Sequence, residues 1–85
     1  MIYLRENCAA ELAFWKRNDV GIYRKIQKLI EAIETNPFEG IGKPEPLKHE
    51  LSGLWSRRID RKNRLIYSAK DGDVWIISCK GHYEK

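Results

Sequence analysis

The sequence lacks several features that would define other classes of protein. It has only two cysteines, Cys8 and Cys79, which lie far apart and fit neither a disulfide framework nor a metal-ligand spacing. Its longest apolar stretch, residues 74–77, is strand-sized and far shorter than the about 20 residues that span a bilayer. Arg5 and Glu6 interrupt the apolar start, which argues against a signal peptide. We therefore expect a cytoplasmic protein outside the membrane, with both cysteines buried as reduced thiols.

Motifs for several common chemistries are missing as well. There is no glycine-rich phosphate loop, no His-x-x-x-His pair and no Gly-x-Ser-x-Gly turn. The sequence therefore gives no support for nucleotide binding, for a zinc hydrolase or for a serine hydrolase, and we expect neither a cofactor nor a metal ion.

The 85 residues predict one domain, 1–85, with a small core. The formal net charge is +4, and the excess is local. The segment from residue 43 to residue 64 has seven basic side chains and three acidic ones, so the rest of the chain is neutral. A local basic stretch fits a polyanion such as nucleic acid, although such a cluster is often only a solvated surface.

Two helices are predicted in the first half of the chain. Apolar residues recur at helical spacing between residues 6 and 16, where Cys8, Leu12 and Trp15 form one stripe. A second, clearer stripe runs from Ile22 to Ile33, between a break at residues 18–19 with a plausible N-cap and Asn36-Pro37. The short break between them predicts an antiparallel helix hairpin.

Strands are predicted at the start of the chain and through most of its second half. Residues 2–4 read as a short first strand, and residues 37–53, with all three prolines, read as loop. Strands are expected at 54–59, 64–69 and 74–79, the last two joined by a turn at Asp71-Gly72. The fold class is therefore α+β, with an N-terminal helix hairpin on one face of a small antiparallel sheet of three or four strands. The other face, left bare and basic, is the predicted binding surface.

Few side chains are available for chemistry. They are one loop glutamate, a histidine–tyrosine pair near the end, and the strand arginines. Each also has an ordinary explanation: Glu45 and His82 can be idle surface residues, and Arg57, Arg58 and Arg64 can form the solvated face of a half-buried sheet. The aromatic residues Trp55, Tyr67 and Trp75 are expected in the core or in cross-strand packing.

A long motif distinguishes between these explanations. Pro-Phe-x-Gly-x-Gly-x-Pro-Glu-Pro-Leu at 37–47 is followed by Ser-Gly-x-Trp-Ser-Arg-Arg-Ile at 52–59, Arg-Leu-Ile-Tyr at 64–67 and His82-Tyr83. This pattern resembles the YoeB-type toxins of the RelE/ParE superfamily. The likeness covers the last half of the chain closely, whereas in the first half only the helix pattern and Trp15 agree.

The resemblance implies a RelE-like microbial ribonuclease fold and a toxin of a type II toxin–antitoxin system. Such a toxin cuts message in the ribosomal A site and is neutralised by a YefM-like antitoxin; whether it is a monomer or a homodimer is left open. On matching positions, Glu45 is the general base, His82 the general acid and Arg64 the transition-state stabiliser. Tyr83 positions RNA, and Lys48 and Arg58 contact its backbone.

These residue types suit the reaction. RNA carries its own nucleophile, the 2′-hydroxyl, so cleavage needs a base for that proton and an acid for the departing 5′ oxygen. A carboxylate is ionised at neutral pH, and a histidine can regain its proton there. Guanidinium groups can offset the charge that gathers on phosphorus, and an aromatic ring can stack on an unpaired base.

Two features depart from this simple picture. Glu84 and Lys85 follow His82-Tyr83, where these toxins typically end. In addition, a regular hairpin about Asp71-Gly72 would pair Arg64 with Cys79 and turn His82 to the opposite face. We therefore predict an irregularity near Gly81 that breaks the ladder.

Two other functions share parts of this evidence. A toxin of the same fold could bind and poison a protein such as gyrase without cleaving RNA, and it would have no need of Glu45, Arg64 and His82. A plain RNA-binding module would cleave nothing, and its effect would survive the change of His82 to alanine.

Overall fold

The computed structural model describes residues 1–81, in which two helices pack on one face of a five-stranded sheet. The elements in chain order are β1 (Ile2–Leu4), α1 (Glu6–Asn18), α2 (Val20–Thr35), β2 (Glu45–Pro46), a short 3₁₀ helix (His49–Leu51), β3 (Trp55–Arg58), β4 (Arg64–Lys70) and β5 (Asp73–Ser78). The α+β class and the helix hairpin predicted from the sequence are confirmed. In the described part of the chain, no helix is both long and apolar enough to cross a membrane.

The two helices form where the apolar stripes predicted them. The Asp19 carboxylate caps α2 by accepting a hydrogen bond of 3.2 Å from the backbone N–H of Ile22, and the helix ends before Pro37. The face of α2 that contains Ile26, Leu29 and Ile33 is buried against the sheet. Helix α1 extends two residues further than predicted, and its buried residues are Cys8 and Trp15.

The sheet is larger and less regular than expected. Its strand order is β1-β5-β4-β3-β2, and β1 lies parallel to β5, whereas the other pairs are antiparallel. The predicted small antiparallel sheet is confirmed for four of its strands, but the sheet has five strands rather than three or four because β1 and β2 join its edges. The expected loop at 37–53 contributes the strand Glu45–Pro46, which pairs with β3, because Pro46 lies on an outer edge where its missing N–H costs no ladder bond.

The ladder between β4 and β5 contains a bulge. Tyr67 pairs with Ile76, but Ile66 pairs with Ser78, so Ile77 is an extra residue on β5. The strand then ends at Ser78, and Gly81 has a φ of 97°. The predicted irregularity ahead of His82 is confirmed, although the bulge itself lies at Ile77 rather than at Gly81.

The core contains two unexpected polar features. Cys8 and Cys79 are buried as free thiols, as predicted, but the fold brings their Sγ atoms to 3.7 Å of each other. The neighbouring thiol and burial raise the pKa of Cys79, so this residue stays a neutral thiol. The second feature is Arg57, which is fully buried.

The sequence-based expectation that Arg57 could belong to a solvated sheet face is wrong, because its side chain is fully buried. Its guanidinium donates hydrogen bonds to the backbone oxygens of Asn36, Glu39 and Ile41 at 2.7, 3.1 and 3.1 Å, and to the Tyr67 hydroxyl at 3.1 Å. These carbonyls belong to the loop between α2 and β2. Arg57 therefore anchors the loop that leads to Glu45.

Candidate active site

The candidate site lies on the sheet face that the helices leave uncovered. Side chains alternate along a strand, so residues flanking the buried Arg57, Leu65 and Tyr67 point away from the helices. Strand pairing arranges this outer face in rows. One row crosses the sheet through Glu45, Ser56, Ile66 and Ser78, and the adjacent row contains Arg58 and Arg64.

This arrangement places one glutamate in the row next to two arginines. Arg58 and Arg64 are direct partners across β3 and β4. Glu45 is exposed and is paired with Ser56, two residues before Arg58, which makes Glu45 a diagonal neighbour of Arg58 at about 7–8 Å. Like charges directly opposite each other on a sheet are unfavourable, so the pair of arginines suits a site that binds an anion.

Backbone contacts hold Arg64 in place. Its Nη1 donates to the carbonyl oxygens of Asp60 and Asn63 at 2.7 and 3.2 Å. Its own backbone N–H donates to the carbonyl oxygen of Gly81 at 2.9 Å, so Arg64 lies beside Gly81 and not opposite Cys79 as a regular ladder would require. The bulge therefore brings Gly81, which directly precedes His82 in the chain, next to Arg64.

A polar turn and helix α1 hold the chain at Gly81 and at Cys79, two residues before it. The Asn63 side-chain oxygen accepts a hydrogen bond of 2.8 Å from the Gly81 N–H. Two residues earlier, the Cys79 N–H donates to Glu11 at 2.7 Å, and its carbonyl accepts from the Trp15 indole at 3.0 Å. Sequence analysis missed Glu11 and Asn63, since only the tertiary structure brings them next to Cys79 and Gly81.

The turn residue Asp60 is organised by the chain around it. Burial raises the pKa of Asp60, but hydrogen bonds from the Asn63 and Lys62 backbone, the Asn63 amide and the charge of Arg64 outweigh it, and the pKa is lowered. Asp60 is therefore a charged acceptor for its own turn at neutral pH. Glu45 has no such partners among the described residues and is the better candidate for a base.

The remaining predicted site residues are distributed as follows. Lys48 is exposed and lies two residues beyond β2, where it precedes the 3₁₀ helix. His82 and Tyr83 lie outside the described residues. Among residues 1–81, no group of three or more histidine, cysteine or carboxylate side chains could hold a metal ion.

Aromatic residues occupy the other end of the outer face. Trp75 is 42% exposed and stacks on Tyr3 of the neighbouring strand, with ring centroids 4.8 Å apart. Its predicted cross-strand packing is confirmed. Tyr67 is core, and Trp55 is half-buried against Phe38.

Comparison with known proteins finds similar sequences over most of the chain. Residues 4–83 match the family described as YoeB-like toxin of bacterial type II toxin-antitoxin system. Toxin YoeB of Synechocystis sp. is 51% identical over 72 residues, which are 85% of this chain and 84% of that protein. Toxin YoeB of Escherichia coli K12 is 50% identical over 70 residues, 82% of this chain and 83% of that protein.

Solved structures resemble the whole described fold. The YoeB/ParE toxin from Agrobacterium tumefaciens superposes with a TM-score of 0.92 at 37% identity, covering 96% of this chain and 98% of that one. A YoeB chain in the heterotetrameric YoeB-YefM toxin-antitoxin complex from Staphylococcus aureus gives 0.89 at 39% identity, covering 98% and 97%. The chain is thus a member of the YoeB-like toxin family of bacterial type II toxin–antitoxin systems.

Proposed function

We propose that this toxin is a ribosome-dependent mRNA endonuclease that cleaves message in the A site by general acid–base chemistry and thereby inhibits translation. The observation that carries the proposal is the outer face of the sheet. There, Glu45 and the paired arginines 58 and 64 lie in neighbouring rows, and the Arg64 N–H donates to the carbonyl oxygen of Gly81, the residue before His82 in the chain.

The proposed reaction needs three groups around one phosphate. Glu45 takes the proton of the 2′-hydroxyl, whose oxygen attacks the adjacent phosphorus. The bond from phosphorus to the 5′ oxygen breaks, and that oxygen leaves with a proton from His82. Cleavage thus yields a 2′,3′-cyclic phosphate and a free 5′-hydroxyl.

The arginines supply the charge that this reaction requires. Negative charge gathers on the phosphate oxygens in the transition state, and Arg64 is held by backbone carbonyls so that its orientation is fixed before reaction. Guanidinium groups can supply by themselves the positive charge that a metal ion supplies in other nucleases, so we propose a reaction without metal. Arg58 and Lys48 bind the RNA backbone, and Tyr83 stacks on a base.

Partners are proposed from the relatives and from the open site. The Staphylococcus aureus relative is solved in complex with YefM and also as a dimer. We propose a YefM-like antitoxin as the neutralising partner, and a homodimer as a second assembly. Glu45 and Arg58 are exposed, so the ribosome is the proposed source of substrate positioning, and the cytoplasm the proposed location.

The first test is cleavage in cells. Glu45→Gln and His82→Gln should each reduce cleavage at discrete sites in message by about 10²–10⁴-fold, the usual contribution of an acid or base. Glu50→Gln is the matched control for Glu45, because Glu50 is an exposed carboxylate in the neighbouring 3₁₀ helix. Primer extension on message from expressing cells measures the cuts. Arg64→Ala should also abolish cleavage, with Arg17→Ala as its control.

The result also separates the nuclease from its alternatives. Full cleavage by the Glu45→Gln/His82→Gln double variant would refute the catalytic assignment. Growth inhibition by the wild type without any cuts in message would instead indicate a toxin that acts on a protein target. Residual cleavage of free RNA at high protein concentration should survive an excess of EDTA, and its loss with EDTA and recovery with a divalent ion would contradict the proposed metal independence.

A further inference from the structure

A second basic feature lies at the end of the sheet, next to the candidate active site. An open cleft of about 480 Å³ separates the β3–β4 hairpin from α2 and from the loop before β2. Five of its lining residues are basic: Lys25, Lys43, Arg58, Arg61 and Arg64. With the one negative charge of Asp60, the lining residues carry a formal charge of +4, which is also the net charge of the whole chain.

Within the described part of the chain, Asp60 is the only carboxylate that lines this cleft, so its five positive charges face one negative charge. Among residues 1–81, the only ion pair joins the N-terminus to Asp73, at the far end of β5. The Asp60 carboxylate accepts hydrogen bonds from the Lys62 N–H, the Asn63 N–H and the Asn63 side-chain amide. A concave surface with one sign of charge focuses the electrostatic potential and attracts an anion.

Packing of the fold, rather than chance, places two of these cations. Gly42 lies so close to α2 that a Cβ there would be 2.8 Å from Leu29, and Lys43 follows it with a positive φ of 53°. A lysine seldom adopts this left-handed conformation, and such strain is concentrated at functional positions. Lys25 lies one turn before Leu29 on the same face of α2, so the contact of Gly42 with Leu29 brings Lys25 and Lys43 to opposite walls.

Two arginines connect the cleft to the outer face of the sheet. Arg58 and Arg64 line the cleft and also form the basic row beside Glu45. When the scissile phosphate of an RNA strand lies at Arg64, the phosphates of the next one or two nucleotides must lie close to that residue. The cleft is the uncompensated basic surface that begins there.

We propose that this cleft binds the phosphodiester backbone adjoining the scissile phosphate, with the RNA passing from the sheet over the β3–β4 edge to α2. The inference rests on the proposed nuclease function. It assigns Lys25, Lys43 and Arg61 to substrate binding. Their contacts are with phosphate and are therefore independent of base sequence.

Binding of a non-cleavable RNA tests the cleft without depending on catalysis. The probe is a short fluorescein-labelled 2′-O-methyl RNA, which lacks the nucleophilic hydroxyl, and anisotropy is measured between about 50 and 200 mM salt. Lys25→Gln should weaken binding several-fold and reduce the slope of log K against log salt by about 0.7, the value for one lost contact on a single strand. Lys28→Gln removes the same charge from an exposed position on the same helix, outside the cleft, and should leave the slope unchanged.

The outcomes are distinct from those of the catalytic test. Wild-type protein that binds the probe but cuts no RNA would overturn the nuclease and leave the cleft standing. Equal slopes for Lys25→Gln and Lys28→Gln, or no binding by the wild type at low salt, would overturn the cleft whatever the activity. Unchanged RNA binding by Lys25→Gln with weaker neutralisation by the antitoxin would overturn it too, and would assign this surface to the protein partner.

Discussion

Changing Tyr67 to phenylalanine removes a single buried oxygen and tests how the Arg57 anchor works. The Tyr67 hydroxyl donates to the Pro37 carbonyl at 2.6 Å and accepts from Arg57 Nε at 3.1 Å. The ring itself is fully buried and is retained in the variant, so only the volume of one oxygen atom is lost. The variant therefore isolates two hydrogen bonds, one of them from a buried cation.

The expected loss follows from those two bonds. A neutral hydrogen bond contributes about 0.5–1.5 kcal/mol and one to a charged group about 1.5–3 kcal/mol, so Tyr67→Phe should cost about 2–4 kcal/mol. That is a large part of the roughly 4–13 kcal/mol available to a domain of this length. At about 4–8 °C per kcal/mol, the melting temperature should fall by roughly 10–30 °C.

Urea and thermal unfolding measure this loss against a matched control. Tyr23→Phe removes a hydroxyl whose contact with Gln27 is long, at 3.5 Å, and exposed, so its cost should stay within about 0.5 kcal/mol. A loss for Tyr67→Phe below about 1 kcal/mol, less than one bond to a charged group, would refute the role assigned to Arg57.

The pH dependence of stability provides a second measure of the same contact. Burial raises the pKa of Tyr67 above its usual 10.0, although the hydrogen bond and charge of Arg57 oppose this. The folded state therefore holds the proton more tightly than the unfolded state. This contribution is fully present below pH 10 and is lost as the pH rises through the raised value. Tyr67→Phe should lose stability less steeply there than the wild type.

Three other predictions concern the frame of the site. Gly42 and Gly72 have nearly equal φ values of 86° and 84°, but of the two only Gly42 would bring a Cβ against a side chain, at 2.8 Å from Leu29. Gly42→Ala should therefore lower the free energy of unfolding in urea by about 1–3 kcal/mol more than Gly72→Ala. Equal losses for the two variants would contradict the packing of Gly42 against α2. Glu11→Ala should accelerate hydrogen exchange of the Cys79 amide, whose only described acceptor it removes, and unchanged exchange would exclude this clamp. Because the pKa of Asp60 is lowered from 3.8, its charged form stabilises the folded protein above that pH, and this contribution is lost as the pH falls further. Asp60→Asn should therefore lose stability less steeply than the wild type in acid unfolding. An equally steep loss in both proteins would show that the turn does not depend on that charge.

Local patterns predicted the helices and most of the strands. Both helices and their break could be predicted because helical periodicity, an Asp19 cap and Asn36-Pro37 act within a few residues of each other. The strand at Glu45–Pro46 could not be predicted, since two prolines and a charged residue indicate a loop, and only pairing with β3 makes this segment a strand. The parallel pairing of β1 also depends on a crossover through both helices, which leaves no local mark.

The candidate site could be predicted only in part, for a similar reason. A long motif identified Glu45 and Arg64, and the register of β2, β3 and β4 brings them to neighbouring rows. The cleft was missed because Lys25 reads as one of several exposed helical lysines. It becomes a cleft residue only through the contact between Gly42 and Leu29.

The sequence by itself determined the family, the fold class and the residue types available for chemistry, because a motif and its periodicities are properties of the chain order. The tertiary structure alone decided which charges are buried and which are free. Arg57 and Arg58 are adjacent in sequence, yet alternation along β3 turns one into the core and the other to the outer face. The physical reason is that a buried cation needs acceptors from several distant segments, and only the folded chain brings those carbonyls together.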